Sequence, residues 1–191
     1  ITVNVALLPT TPGTPTGQND LCLNPSNTNY TTTGSYSASS YEWSISPVGA
    51  GVITWTGQGF TCTVDWNNTY TGIAYIQVRG YGGCGYGDWS DAIAVTISQA
   101  PSVASTPTGT TTLCQNSSNS TYFTSGASYA TNYDWEINPS GAGTLSEAGT
   151  SCTVDWLSSF TGSVTIRVKG INNCGNGSWS NVLNINVSPS P

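Results

Sequence analysis

The sequence predicts an all-β protein of two tandem antiparallel β-sandwich domains. Three observations carry this: apolar residues alternate along short runs, turn residues interrupt those runs, and the whole pattern occurs twice.

The duplication is the firmest of the three. Pro15-Thr16-Gly17 returns as Pro107-Thr108-Gly109. Cys22, Tyr30, Tyr41 and Trp43 return as Cys114, Tyr122, Tyr133 and Trp135, each 92 positions later (114 − 22). After a two-residue gap the offset becomes 90 (152 − 62), and Cys62-Thr63-Val64-Asp65-Trp66 matches Cys152-Thr153-Val154-Asp155-Trp156. Cys84-Gly85 and Trp89-Ser90 match Cys174-Gly175 and Trp179-Ser180. Residues 1–17 align without gaps on residues 93–109, so Ile1–Val5 reads as the closing strand of a preceding repeat. The expected division is 1–12 for that strand and its linker, 13–99 for repeat one, and 100–191 for a linker plus repeat two. Ile1 falls in mid-pattern, so any targeting segment is expected upstream of it. An apolar strand needs cover. Ile1–Val5 is expected to complete an upstream module of the same chain, or to add as a donor strand to a neighbouring subunit.

Within each repeat the period is two. Tyr41, Trp43 and Ile45 share one face while Glu42 and Ser44 take the other. Cys62, Val64 and Trp66 alternate with polar residues, as do Ala74, Ile76 and Val78, and then Ile93, Val95 and Ile97. One apolar face per strand implies antiparallel sheets packed face to face. Asn176-Gly177 suggests a tight hairpin turn before the last strand. The segment from Gln99 to Gly109, with Pro101 and Pro107, reads as a semi-extended linker.

Only 6% of the 191 residues are charged, so Thr, Ser, Asn and Gly must form the polar surface. The 7 Trp and 10 Tyr can bury enough area to offset chain entropy. The net charge is −6 and the only cations are Arg79, Arg167 and Lys169, which argues against nucleic acid and anionic membranes. No apolar run approaches the ~20 residues of a membrane-spanning helix.

Six cysteines in so uncharged a chain point to an oxidising compartment. Neither C-x2-C pairs nor His partners exist, so no metal site is expected. Cys62 and Cys152 fall on inward strand faces and read as buried thiols. Cys22, Cys84, Cys114 and Cys174 sit beside turn residues. The expected bonds are Cys22–Cys84 and Cys114–Cys174, although sequence alone leaves the connectivity open.

The order of motifs is Leu21-Cys22, Tyr41-x-Trp43, Pro47-x-x-Ala50-Gly51, Thr63-Val64-Asp65-Trp66 and Cys84-Gly85-x-Gly87-x-Trp89-Ser90. Taken together it resembles the PKD-like, Ig-like modules strung along secreted and surface proteins of gliding, type IX-secreting bacteria. The resemblance covers both repeats. It implies Ig-like sandwiches in a multidomain parent with a spacer or adhesive role, and it brings no catalytic residues.

Three candidate sites follow from the residues themselves. Without His, a Ser-His-Asp arrangement is impossible. The recurring carboxylates Glu42 and Asp65, and Asp134 and Asp155, lie on strands that could be neighbours, but read as solvated strand faces. Gly87-Asp88-Trp89-Ser90-Asp91 could hold a weak calcium site, yet its repeat Gly177-Ser178-Trp179-Ser180-Asn181 loses both acids. Trp43 and Trp135 read as core tryptophans. Trp55, Tyr81 and Tyr86 occur only in repeat one, in loop-like text, and are the candidate ligand contacts, able to stack on a sugar.

The expected function is a non-catalytic extracellular spacer or adhesin segment without cofactors. Its partners would be neighbouring repeats of the same array and, as ligand, a polysaccharide or another surface ligand. The alternatives are a carbohydrate-binding module accompanying a secreted glycosidase, and a subunit of an extracellular filament.

Overall fold

A computed structural model describes residues 6–190. Ile1–Val5, the expected donor or closing strand, lie outside the described residues. The chain divides into two compact units after Gln99. No α-helix occurs among the described residues, and each unit is one β-sandwich.

The first module contains β1 (Asp20–Cys22), β2 (Thr28–Thr31), β3 (Ser40–Ser46), β4 (Gly51–Trp55), β5 (Thr61–Trp66), β6 (Gly72–Gly82), β7 (Gly85–Tyr86) and β8 (Ile93–Ser98). Five strands form one sheet in the order β1-β8-β6-β3, with β7 on β6; three form the other, β2-β5-β4. The second module repeats this with β9 (Thr112–Cys114), β10 (Ser120–Phe123), β11 (Asn132–Asn138), β12 (Gly143–Ala148), β13 (Ser151–Trp156), β14 (Gly162–Asn172), β15 (Gly175–Asn176) and β16 (Leu183–Ser188).

The period-two faces pack as the alternation requires. Tyr41, Trp43, Cys62, Val64, Trp66, Ala74, Ile76, Val78, Val95 and Ile97 all enter one buried cluster. Their counterparts, among them Trp135, Cys152, Val154, Trp156, Ile166, Val168 and Ile185, enter the other. Each fully buried Val or Ile contributes roughly 1.5–3 kcal/mol.

One pairing departs from the antiparallel expectation. β1 runs parallel to β8, and β9 parallel to β16. The cause is a sheet switch in the first strand. Thr16 pairs antiparallel with Thr31 on the small sheet, and the chain then crosses to the large one. The crossing passes over a buried Tyr. A Cβ at Gly17 would collide with the Tyr30 ring, and one at Gly109 with the Tyr122 ring. The Tyr30 hydroxyl donates to the Gln18 carbonyl at 2.7 Å, and Tyr122 to Thr110 at 2.9 Å. The Pro-Thr-Gly motif is thus the point where the chain changes sheets.

The second proline segment is docked rather than free. Ser102, Ser105 and Thr108 donate backbone N–H groups to Ser128, Gly126 and Phe123 within the second module. Pro101 is buried, and a Cβ at Gly170 would stand 3.0 Å from its ring. Pro9 lies against Gly80 in the same way, at 2.9 Å. The hairpin turn also differs from expectation. Asn172 pairs with Gly175, so the chain reverses at Asn173-Cys174, and Asn176 belongs to β15. Gly175, at φ +125°, supplies the left-handed residue instead.

The expected disulfides are corrected. Cys84 and Cys114 are free thiols, so neither Cys22–Cys84 nor Cys114–Cys174 forms. Register explains why. Cys22 pairs with Ser98, at the end of β8 beside Gly72, where β6 begins. Cys84 lies in the turn beyond Gly82, where β6 ends. An 11-residue strand spans roughly 33 Å, whereas a disulfide needs Cα atoms within about 7 Å. The second module is built alike, with Cys114 beside Ser188 and Cys174 beyond Asn172.

The two core tryptophans differ in one bond. Trp135 Nε1 donates to the Gly149 carbonyl at 3.1 Å, in the tight β12–β13 turn. The corresponding loop of module one is two residues longer, and Trp43 Nε1 is buried without a partner. Trp135→Phe should therefore cost about 1 kcal/mol more stability than Trp43→Phe, because only the former breaks a bond and orphans a carbonyl. Urea unfolding of the two variants, followed by tyrosine and tryptophan fluorescence, measures the difference; equal losses would refute it.

Candidate functional site

The long strand β6 places alternate residues on the outer face of the large sheet. Arg79 stands opposite Glu42 across the β3–β6 ladder. Its guanidinium reaches the Glu42 carboxylate at 2.6 Å and stacks on two rings, Tyr86 at 4.0 Å and Trp89 at 4.5 Å from the centroids. Tyr81 lies beside Tyr86, with centroids 4.8 Å apart and planes inclined by 53°. Each cation–π contact at a half-exposed site is worth roughly 0.5–2 kcal/mol.

Module two keeps the charges and drops the tyrosines. Lys169 pairs with Asp134 at 3.0 Å and Arg167 with Glu136 at 2.7 Å. Both cations lie over Trp179, at 4.4 and 4.6 Å. Ser90, next to Trp89, is buried and laces its segment to β6. Val78 N–H donates to Ser90 Oγ at 3.1 Å, and Ser90 N–H to the Val78 carbonyl at 2.8 Å. Ser180 repeats the arrangement on Val168. The Trp-Ser motif is therefore a clasp: Ser continues the sheet edge and Trp carries the cation.

The structure brings together two of the three candidate ligand contacts. Tyr81 and Tyr86 are neighbours and are 44% and 50% exposed. Trp55 stands on β4, in the other sheet, where it edges a shallow depression with Thr54, Thr56, Thr61 and Thr63. The paired rings are tilted, so no coplanar platform of three aromatics forms.

Glu42 and Asp65 are not neighbours either. β3 pairs with β6, and β5 with β2 and β4, so the two carboxylates belong to opposite sheets and face away from each other. Glu42 is engaged by Arg79. Among the described residues no group of three metal-ligating side chains is gathered.

A second aromatic feature went unread in the sequence. Tyr36 and Phe60 border an open groove with Thr33, Gly34, Ser35 and Gln58, and the Phe60 ring lies 5.3 Å from that of Tyr41. The same place in module two is lined by Ser125, Gly126, Ala127, Ser128 and Tyr133, without exposed rings. Aromatics present in only one repeat had already singled out Trp55; the same comparison would have found Tyr36 and Phe60.

Comparison with known proteins agrees with this geometry. The PKD-like domain family matches residues 8–95 and again 100–185. The chain belongs to the PKD-like domain family. Solved structures align with it at low identity. A titin multidomain segment aligns at 14% identity and TM-score 0.53, over 91% of this chain and 62% of its own. The FN1-FN3 domains of chicken CNTN1 align at 15% identity and TM-score 0.41, over 96% and 68%. Fibronectin(III)-like modules of Clostridium thermocellum CbhA align at 14% identity and TM-score 0.39, over 92% and 94%. No curated protein sequence matches.

The buried thiols and phenols of the PKD-like modules hold their protons tightly. Burial pushes the Cys62 and Cys152 thiols up to about 12. Burial likewise pushes the Tyr122 hydroxyl up to about 12 and raises that of Tyr30. A raised thiol or phenol pKa means the folded state holds its proton after the unfolded chain has lost it. That contribution is whole below about pH 9 and is lost as pH rises through 12. Two outcomes follow. At pH 8, iodoacetamide should modify Cys84 and Cys114 in the folded protein while sparing Cys62 and Cys152. Stability in urea should fall steadily between pH 9 and 12, less steeply in Cys62→Ala/Cys152→Ala. Rapid labelling of Cys62 without unfolding would contradict the burial argument.

Proposed function

We propose that this chain is a non-catalytic spacer segment from a larger exported surface protein, of the kind its motifs resemble in gliding, type IX-secreting bacteria. One observation carries the reading: the path of the chain through each module. Residues 6–9 pack beside the β6–β7 turn, at the pole bearing Cys84. The chain leaves from Ser98, at the opposite pole. Pro101 and Ser188 occupy the same two poles of module two. A module whose ends lie at opposite poles can be repeated in series without the chain folding back. Disulfide-bonded cysteines support an oxidising, extracellular setting. Sparse charge, with all three cations in ion pairs, suits a surface that interacts weakly at any salt concentration.

Adhesion to a polysaccharide is the second reading, favoured by the exposed Tyr81–Tyr86 pair and the Tyr36–Phe60 groove, both confined to module one.

Pulling the reduced protein from its two ends should give two separate unfolding events, each lengthening the chain by on the order of 300 Å. Hydrolysis of polysaccharides by the protein should stay at background. A single low-force extension would refute the spacer reading. Retardation in polysaccharide-containing gels, abolished by Tyr86→Ala or Tyr36→Ala, would favour the adhesive one.

A further inference from the structure

Loops 32–39 and 56–60 of module one are fixed by hydrogen bonds that module two repeats. Thr10 N–H donates to the Tyr36 carbonyl at 3.1 Å, and Tyr36 N–H to Thr10 Oγ1 at 2.9 Å. Ser102 and Ser128 make the same exchange at 3.1 and 3.0 Å. Ser35 N–H donates to the Tyr41 hydroxyl at 2.9 Å, as Ala127 N–H does to Tyr133 at 3.0 Å. Thr32 N–H donates to the Phe60 carbonyl, and Thr124 N–H to the Thr150 carbonyl, both at 2.9 Å. Tyr36 and Phe60 thus take the places of Ser128 and Thr150 in the same backbone arrangement. The fold at this place needs neither ring.

Both rings are nevertheless displayed. Tyr36 is 74% exposed and Phe60 52%. Phe60 is seated directly on the chain: a Cβ at Gly34 would stand 2.7 Å from its ring, and the Tyr41 ring supports it. Thr33, Ser35, Ser39 and Gln58 complete the groove, and no charged side chain lines it. The Ser35 and Ser39 hydroxyls already donate to the Thr10 and Tyr81 carbonyls, so their lone pairs are left to accept. The Gln58 amide can both donate and accept. Tyr129, the counterpart of Ser37, stands outside the lining of the equivalent place in module two.

From this we infer that the Tyr36–Phe60 groove is a binding site for a neutral polysaccharide. A pyranose unit presents an apolar C–H face that stacks on an aromatic ring, and a rim of hydroxyls that Ser, Thr and Gln can match. An acidic polysaccharide would find no cation here, because the one cation of module one, Arg79, is held by Glu42 on the outer face of the large sheet. The inference rests on the adhesive reading and gives it one place and one ligand class. The other aromatics of module one fit a sugar less well. One face of Tyr86 already carries the Arg79 guanidinium, and Tyr81 leans on Tyr86 at 53°. Trp55 is the sole ring edging its depression.

Affinity electrophoresis of residues 1–191 in native gels tests this, with soluble β-glucan, galactomannan or dextran as neutral probes and alginate as the acidic one. A neutral polysaccharide should retard the protein, and alginate should not. Tyr36→Ser and Phe60→Thr should each weaken that binding by about tenfold or more. Both install the residue that module two carries at the same place. Tyr36→Ser should unfold in urea at the same midpoint as the parent chain, which separates lost binding from lost folding. Tyr86→Ala and Trp55→Ala should leave the retardation unchanged.

Retardation that survives Tyr36→Ser, or is lost only with Tyr86→Ala or Trp55→Ala, would overturn the groove assignment and leave the adhesive reading standing. Retardation by alginate alone would overturn the neutral ligand class. Retardation by no polysaccharide would sink the adhesive reading and the inference with it. If a decaproline peptide, and no polysaccharide, shifts the amide resonances of residues 33–39 and 56–60, the groove takes a peptide and the inference fails.

Discussion

The register of one strand governs each module. β6 runs eleven residues from pole to pole, pairs with β3 along one edge and with β8 along the other, and supplies both faces of the large sheet. Its inward residues Ala74, Ile76 and Val78 are completely buried. Because side chains alternate, the same register that buries these three turns Arg79 outward against Glu42. A slip of one residue would expose the core face and bury the guanidinium together. β14 repeats the constraint with Val164, Ile166 and Val168 inside and Arg167 and Lys169 outside. The ion pairs are modest in energy. They act against wrong registers, where a charge would face the core.

Much of this was legible in the sequence, because alternation is local. Tyr41-x-Trp43-x-Ile45 announces its buried face within five residues, and duplication confirms it independently at Tyr133, Trp135 and Ile137. What could not be read depends on distances across the module. The sequence sets Cys22 and Cys84 beside turn residues, but nothing local says which pole a turn occupies. Only the pairing of Cys22 with Ser98 separates the two cysteines by the length of β6. The parallel β1 was hidden for the same reason: a three-residue strand has no pattern of its own, and its direction follows from the crossing over Tyr30. Asn176-Gly177 misled because a strong turn signal lay three residues beyond a weaker one that tertiary pairing selected.

The surface was the least legible part. Trp55, Tyr81 and Tyr86 stand out by their absence from repeat two, a filter that is silent about position. The fold puts two of them on one sheet and the third on the other. Tyr36 and Phe60 passed the same filter but stand in loops 32–39 and 56–60, which only the packing of Tyr41 brings to a common groove. The Trp-Ser motif was visible as a repeat without its reason. Its role needs Ser90 beside Val78, a contact across twelve positions that no strand pattern encodes.

The buried thiols give each core a chemical vulnerability that the sheets ordinarily conceal. Cys62 stands on β5, between β2 and β4, with its sulfur buried in the core, and its proton is held well beyond neutral pH. Packing thus works as a protecting group. When β5 separates from its neighbours, the thiol regains ordinary acidity and becomes a nucleophile in an oxidising medium. A stretched module that refolds promptly hides it again unchanged. One held open long enough can be capped or mispaired, and the core then no longer closes around a small apolar side chain. On the spacer reading, the tolerance of such a chain to load is set by how long a module stays open as well as by how hard it is pulled.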